Sequence, residues 1–227
     1  MNNGPMKKGE RYQKIIEWFE QNMPVAESEL HFDNPYQLVV SVILSAQCTD
    51  KRVNIVTREL FRQYPTAKDL ANASVEDVFK VISSVSYPNN KSKHLVGMAK
   101  MLVERFDSQV PSDTEELQML PGVGRKTANV VASIIYNKPV IAVDTHVYRI
   151  ARRLGLSDKT TPLGVELDLT ENITPEKRAR AHHWLILHGR YVCVARRPKC
   201  EICGLKDMCL HYHINGGTDL QKGSPGR

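Results

Sequence analysis

Six side chains in this sequence have the type and spacing to do chemistry. Cys193, Cys200, Cys203 and Cys209 stand in a Cys-x6-Cys-x2-Cys-x5-Cys pattern, and Cys48 is the one remaining cysteine. Four thiols this close, in a chain expected to stay in a reducing compartment, point to metal ligation rather than disulfides. An all-thiolate set of four accepts zinc or an iron–sulfur cluster, and chemistry alone leaves both open. Lys126 follows Gly122-Val123-Gly124 and offers an amine nucleophile beside an anion-binding turn. Asp144 offers a carboxylate able to stabilise positive charge or move a proton.

Each of these must be positioned by an element. Thr114 to Leu120 reads as a short helix with a Thr114 cap and an acidic first turn. Gly122 and Gly124 both suit φ > 0 and close approach of a ligand. Arg125 to Tyr136 then has helical periodicity, so the unit is helix, tight glycine turn, helix. Val130, Val131, Ile134, Ile135, Ala128 and Ala132 form its apolar arc. Lys126 is expected at the rim of that arc, on the side of Asn129 and Ser133, with its stem packed and its amine in a wet cleft. The helix dipole and partial burial would both disfavour its charged form. Asp144 opens another helix, with Val147, Ile150, Ala151 and Leu154 on one face and Gly155 as the stop. The plainer roles are a surface lysine at a helix start and an N-cap aspartate.

The 227 residues suffice for one large domain or two small ones, and 41% apolar residues suffice for a core. A net charge of +6 without polybasic runs favours a polyanionic partner. Leu38 to Ala46, the longest apolar run, is too short to span a bilayer. The first eight residues lack the apolar region of a secretory signal. A cytoplasmic protein with no membrane partner is therefore expected.

Along the chain, residues 1–9 are expected to be disordered. A helix should run from Arg11 to Asn22, and another, buried nearly all round, from Tyr36 to about Ala46 after Asp33-Asn34-Pro35. Asp50 or Thr49 can cap the next. Further helices are expected at 67–71, 75–83 and 92–106, with Val85 to Lys91 a loop between the last two. Later helices should cover 165–169 and 175–189. The second contains His182, His183 and His188, whose spacing does not share a face, so packing and hydrogen bonding are expected rather than ligation. Arg190, Arg196, Arg197, Lys199 and Lys206 in and around the cysteine loop suit phosphate contacts. The tail from residue 213 is expected to be disordered.

Leu120-Pro121-Gly122-Val123-Gly124-Arg125-Lys126-Thr127-Ala128-Asn129, with Val143-Asp144-Thr145-His146, resembles the helix-hairpin-helix plus Gly/Pro-Asp signature of a DNA glycosylase superfamily, and within it the endonuclease III family. Ser45-Ala46-Gln47-Cys48-Thr49-Asp50 resembles that family's Leu-Ser-Ala-Gln-x-Thr-Asp motif. The cysteine spacing matches the family's [4Fe-4S] loop gap for gap. One segment departs from the pattern. Where the family usually reads Gly-Leu/Phe-Tyr-x-x-Lys-Ala, Ser86 replaces the glycine, Tyr87 stands at the wedge position and Pro88 replaces the tyrosine.

The resemblance implies an all-α protein of two helical lobes with a DNA-binding cleft. Residues 28–138 would form a six-helix lobe with the hairpin, and residues 1–27 with 139–212 the iron–sulfur lobe, leaving 213–227 as a tail. It implies a bifunctional glycosylase and AP lyase of base excision repair, removing oxidised pyrimidines and cutting 3′ to the abasic site by β-elimination. Lys126 would be the nucleophile forming a Schiff base, and Asp144 its partner. Cys193, Cys200, Cys203 and Cys209 would hold a [4Fe-4S] cluster. DNA contacts would come from Gln47 in the gap of the flipped base, Asp50 near the active site, Tyr87 as a wedge, Leu120, Gly122, Val123, Gly124 and Arg125 of the hairpin, His146, and Arg197 of the cluster loop. The partner would be double-stranded DNA with damaged bases or abasic sites, bound by a monomer in a bacterial cytoplasm at the nucleoid. The rivals are an adenine-mismatch glycosylase, which lacks a lysine at the position of Lys126, and a non-catalytic helix-hairpin-helix binding module.

Overall fold

The computed structural model describes residues 6–215. The helices in chain order are α1 (Lys8–Asn22), α2 (Pro35–Ser45), α3 (Asp50–Gln63), α4 (Ala67–Ala71), α5 (Val75–Ile82), α6 (Pro88–Arg105), α7 (Thr114–Met119), α8 (Arg125–Tyr136), α9 (Thr145–Leu154), α10 (Pro162–Asn172), α11 (Pro175–Tyr191) and α12 (Leu210–Asn215). Two 3-10 turns, Cys200–Ile202 and Lys206–Met208, lie in the cysteine loop. No strand occurs among the described residues, so the fold is all-α. The chain divides into two compact units, Ser28–Lys138 and a second made of the residues up to Glu27 with those from Pro139 onward.

Local hydrogen bonds start most helices. Asn34 caps α2 by accepting from the Gln37 amide at 3.0 Å, and Pro35 occupies the first turn, where its missing N–H costs nothing. Thr49 caps α3. Thr66 and Asp69 close a reciprocal capping box on α4. The α7 cap is Asp113, not Thr114, because the Asp113 carboxylate accepts from the amides of Glu115 and Glu116 at 2.8 and 3.1 Å. Thr114 is thereby the first helical residue.

In the Ser28–Lys138 unit, α2 is buried from Tyr36 to Leu44 and packs against α3, α6 and α8. Full burial of each such Val, Leu or Ile is worth about 1.5–3 kcal/mol, so α2 is the centre of this core. α6 receives α4 and α5. It starts at Pro88 rather than near Ser92, because Pro88 satisfies a first-turn position and Tyr87 serves as a left-handed N-cap.

In the other unit, α9 packs against α10, α11 and α12. Trp184 of α11 stacks on Phe19 of α1 with ring centroids 5.6 Å apart, and its indole N–H donates to the Met23 carbonyl at 2.7 Å. α1 begins at Lys8, earlier than its apolar pattern implies. Lys8 pairs with Asp168 at 3.2 Å, and the Arg11 guanidinium, itself buried, donates to the carbonyls of Met6 and Met208. These long-range partners order residues 6–9, which local composition leaves polar. The tail expected to be loose from residue 213 is helical through Asn215, with the His213 ring bonded to the Asp207 carbonyl at 2.8 Å. Residues 1–5 and 216–227, also expected to be loose, lie outside the described residues.

Candidate catalytic and DNA-binding site

The helix-hairpin-helix is made by α7, the turn 120–124 and α8. Leu120 and Val123, expected at the DNA surface, are 1% and 5% exposed, and the Val123 amide donates to the Leu120 carbonyl at 3.0 Å. They seat the turn, while Gly122, Gly124 and Arg125 are exposed. Gly122 takes φ 83, and a Cβ there would come within 2.9 Å of the His94 Cβ on α6. Gly124 does not need the left-handed region: its φ is −91 and it is the N-cap of α8. Having no side chain, it leaves the leading amides of α8 uncovered by any cap, the arrangement that accepts an anion.

Lys126 is exposed in the first turn of α8. The half-packed rim position expected for it is not observed, although the buried face of α8, Ala128, Asn129, Val131, Ala132 and Ser133, reaches the side on which Lys126 stands. The face is rotated towards Asn129 and Ser133, the side expected to be wet, and Val130, Ile134 and Ile135 are only half-buried. Packing against α2 and α7 sets that rotation, not the apolar count along α8.

Asp144 is the N-cap of α9. Its Oδ1 accepts from the amides of His146 and Val147 at 2.9 and 2.8 Å, which fixes the carboxylate's direction. Oδ2 lies 3.3 Å from His146 Nδ1. Gly155 ends α9 at φ 77, as its position in the sequence implies.

Gln47 and Tyr87 are both exposed and both in left-handed backbone, φ 54 and 55. Asp50 is half-buried as the first residue of α3. Lys91, which sequence reasoning placed only at the end of a loop, is 5% exposed and donates to the carbonyls of Leu44 and Ala46 at 2.7 Å each. Burial pulls its pKa below the ordinary lysine value, and the nearby Cys48 opposes that shift. Its ammonium thus closes the C-terminal end of α2, leading directly into Gln47.

Cys193, Cys200, Cys203 and Cys209 all line one recess, together with Leu154, His188 and Tyr212. Among the described residues, no three His, Cys, Asp or Glu side chains group tightly enough for a single metal ion. All four cysteines line the one recess, the number a cluster requires when each thiolate binds a different iron. Burial pushes the Cys203 thiol up to about 11, with the other cysteines adding to the shift, and Cys209 is raised for the same first reason. Bound iron would supply the positive charge that favours thiolates here. His188 Nε2 lies 3.7 Å from Cys203 Sγ. His182 and His183 hydrogen-bond to the carbonyls of Ala142 and Ala179 at 2.8 and 3.0 Å, in keeping with packing roles.

Sequence reasoning missed the clamps on this loop. Arg149 donates to the Cys193 carbonyl at 3.3 Å and to the Gly189 carbonyl near the end of α11 at 2.8 Å, and Arg153 to the carbonyls of Val194 and Ala195 at 2.8 and 2.9 Å. Arg153 also lies 3.5 Å from Cys193 Sγ. The helix that Asp144 caps therefore grips the cysteine loop at its other end. For Arg153 the signal was a basic last turn, which reads equally well as dipole complementation; Arg149, mid-helix, gave none. Arg197 is exposed on the loop at φ 55.

A family described as HhH-GPD superfamily base excision DNA repair protein matches residues 40–175, and the iron-sulfur binding domain of endonuclease III matches residues 193–209. Endonuclease III of Rickettsia felis is 44% identical over 200 residues, 88% of this chain and 94% of the relative. That of Escherichia coli K12 is 38% identical over 204 residues, 90% of this chain and 96% of the relative. Among solved structures, a trapped endonuclease III–DNA covalent intermediate superposes with a TM-score of 0.87 at 39% identity, covering 92% of this chain and 99% of the other. A non-covalent endonuclease III–DNA complex gives 0.88 at 38% identity, covering 94% and 100%. No helix among the described residues is long and apolar enough to cross a membrane. A hairpin seated for an anion, a capped carboxylate and a four-cysteine recess thus coincide with relatives aligned over almost their full length, and the chain belongs to the endonuclease III family of base-excision DNA glycosylases and AP lyases, which carry a [4Fe-4S] cluster.

Proposed function

We propose that this enzyme acts as a monomer on double-stranded DNA carrying oxidised pyrimidines or abasic sites, with Lys126 and Asp144 as its catalytic residues. One observation carries the assignment: the Lys126 amine stands exposed on the first turn of α8, whose leading amides no cap side chain covers. A phosphate held at those amides brings the adjoining sugar to the amine. The damaged nucleotide leaves the stack, Gln47 enters its gap and Tyr87 wedges beside it. The neutral amine of Lys126 attacks C1′ and the base departs. Asp144, held by its two amide bonds, stabilises the positive charge that develops on the sugar and moves protons during ring opening. The resulting imine acidifies C2′–H, and loss of that proton expels the 3′ phosphate.

Gly122, Gly124 and Arg125 are assigned to phosphate contacts, with His146 beside Asp144, Asp50 near the Gln47 turn and Arg197 on the cluster loop. Cys193, Cys200, Cys203 and Cys209 would hold the cluster, which would staple this loop in shape.

Borohydride reduction of the enzyme with a duplex carrying one oxidised pyrimidine tests the reading. A covalent adduct mapping to Lys126 is expected. Lys126→Gln should abolish trapping and strand cleavage while retaining binding to abasic DNA. An adduct formed by Lys126→Gln would remove Lys126 from the mechanism.

A further inference from the structure

Gln47 and Tyr87, both exposed, are non-glycine residues with left-handed backbone at φ 54 and 55. Neither conformation is one that an isolated chain prefers, and Tyr87 is doubly constrained because a proline follows it. Such residues keep their geometry only where surrounding bonds hold them. One side chain joins the two turns: Ser86 Oγ donates to the Gln47 carbonyl at 2.6 Å. Ser86 immediately precedes Tyr87, so this bond fastens the backbone on one side of the wedge to the residue expected to fill the gap. Lys91, one turn into α6, holds the Leu44 and Ala46 carbonyls just ahead of Gln47. The ammonium docks α6 on the end of α2, while the hydroxyl reaches the Gln47 turn itself. A glycine in place of Ser86 would have nothing to donate.

We propose that Ser86 is a positioning residue for base extrusion, its hydroxyl setting the direction from which Gln47 enters the duplex. The inference rests on the reading of Gln47 as the gap-filling residue. A turn already locked in its working conformation need not be ordered when DNA opens, and that saving appears in the rate of base removal. An abasic site lacks a base to extrude, so its processing depends less on the brace.

The test is a double-mutant cycle in single-turnover kinetics, using the holoenzyme. Its substrates are a duplex with one oxidised pyrimidine and the same duplex with one abasic site. Ser86→Ala should slow base excision about 3- to 10-fold, the worth of one hydrogen bond, and leave abasic cleavage within about twofold. Ser86→Thr, which keeps the hydroxyl, should restore the rate with an unchanged Tm. In a Gln47→Ala background, Ser86→Ala should lose most of its effect, because the group it aims is gone. Undiminished slowing by Ser86→Ala in that background would overturn the brace while leaving Gln47 its role. Equal slowing on both substrates would also overturn it. If Gln47→Ala alone left base excision unchanged, the gap-filling reading and the brace would both fall.

Discussion

Replacing Asp144 by asparagine separates its two tasks. Oδ1 accepts from the amides of His146 and Val147, and asparagine retains an oxygen there. What is lost is the negative charge at the start of α9, worth about 0.3–1 kcal/mol against the helix dipole. That corresponds to a fall in Tm of about 1–4 °C for a chain of this size. Asp144→Ala removes the acceptor as well, costing about 1–2 kcal/mol and roughly 2–8 °C. Catalysis should respond on a different scale. If the carboxylate stabilises the charged sugar, Asp144→Asn should lower the single-turnover rate of base excision by about 10²–10³-fold, near 3–4 kcal/mol of transition-state stabilisation. A stability loss several times smaller cannot produce that. Thermal unfolding and single-turnover kinetics on one preparation give both numbers. Full activity in Asp144→Asn would reduce Asp144 to a helix cap, and a Tm loss equal to that of alanine would show that the cap depends on charge.

The two hairpin glycines should differ: Gly122→Ala, at φ 83 and 2.9 Å from His94 Cβ, should destabilise by about 1–3 kcal/mol in denaturant titration. Gly124→Ala has no atom within 4 Å of the new Cβ and should cost less, about 0.5–1 kcal/mol, from the N-cap preference for glycine over alanine. Asp168 is buried, which by itself raises its pKa, yet the Ser157 hydroxyl at 2.6 Å and Lys8 at 3.2 Å hold it below the ordinary carboxylate value. The unfolded chain therefore takes up this proton first on acidification, so the contribution is whole above about pH 4 and lost as pH falls through the folded pKa. Asp168→Asn should lower Tm near neutrality and flatten its acid decline; an unaltered decline would assign that decline to other groups. Arg197→Ala should reduce the log–log salt slope of binding to abasic-analogue DNA by about one unit if it holds a phosphate. Protein purified anaerobically from iron-replete cells should contain about four irons per chain, and stoichiometric zinc would contradict the cluster.

Features written within a few residues were legible in the sequence. A cap joins a side chain to an amide two or three positions away, so the starts at Asn34 and Asp144 could be read from their neighbours, the start of α3 narrows to Thr49 or Asp50, and that of α7 reads one residue late, at Thr114 instead of Asp113. The cysteine ligands share one loop, so their spacing states their joint purpose. Periodicity marked α2 as a core helix because its apolar character leaves no ambiguity about which face is inside. On α8 the same method misjudged the buried face, since Asn129 and Ser133 go inward where the helix is pressed by its neighbours.

What the sequence determined by itself was the chemistry available and the short elements that carry it: the amine, the carboxylate, the thiols and the turn that admits an anion. Tertiary structure decided what restrains them. Lys91 on Leu44 and Ala46, Ser86 on Gln47, and Arg149 and Arg153 on the cysteine loop join residues far apart in the chain. Such bonds leave no periodic trace, because a donor's partner is fixed by how the helices pack and not by its position along the chain. The same holds for residues 6–9, held by Asp168 on Lys8 and by Arg11, itself bonded to Met208, on the Met6 carbonyl rather than by their own composition.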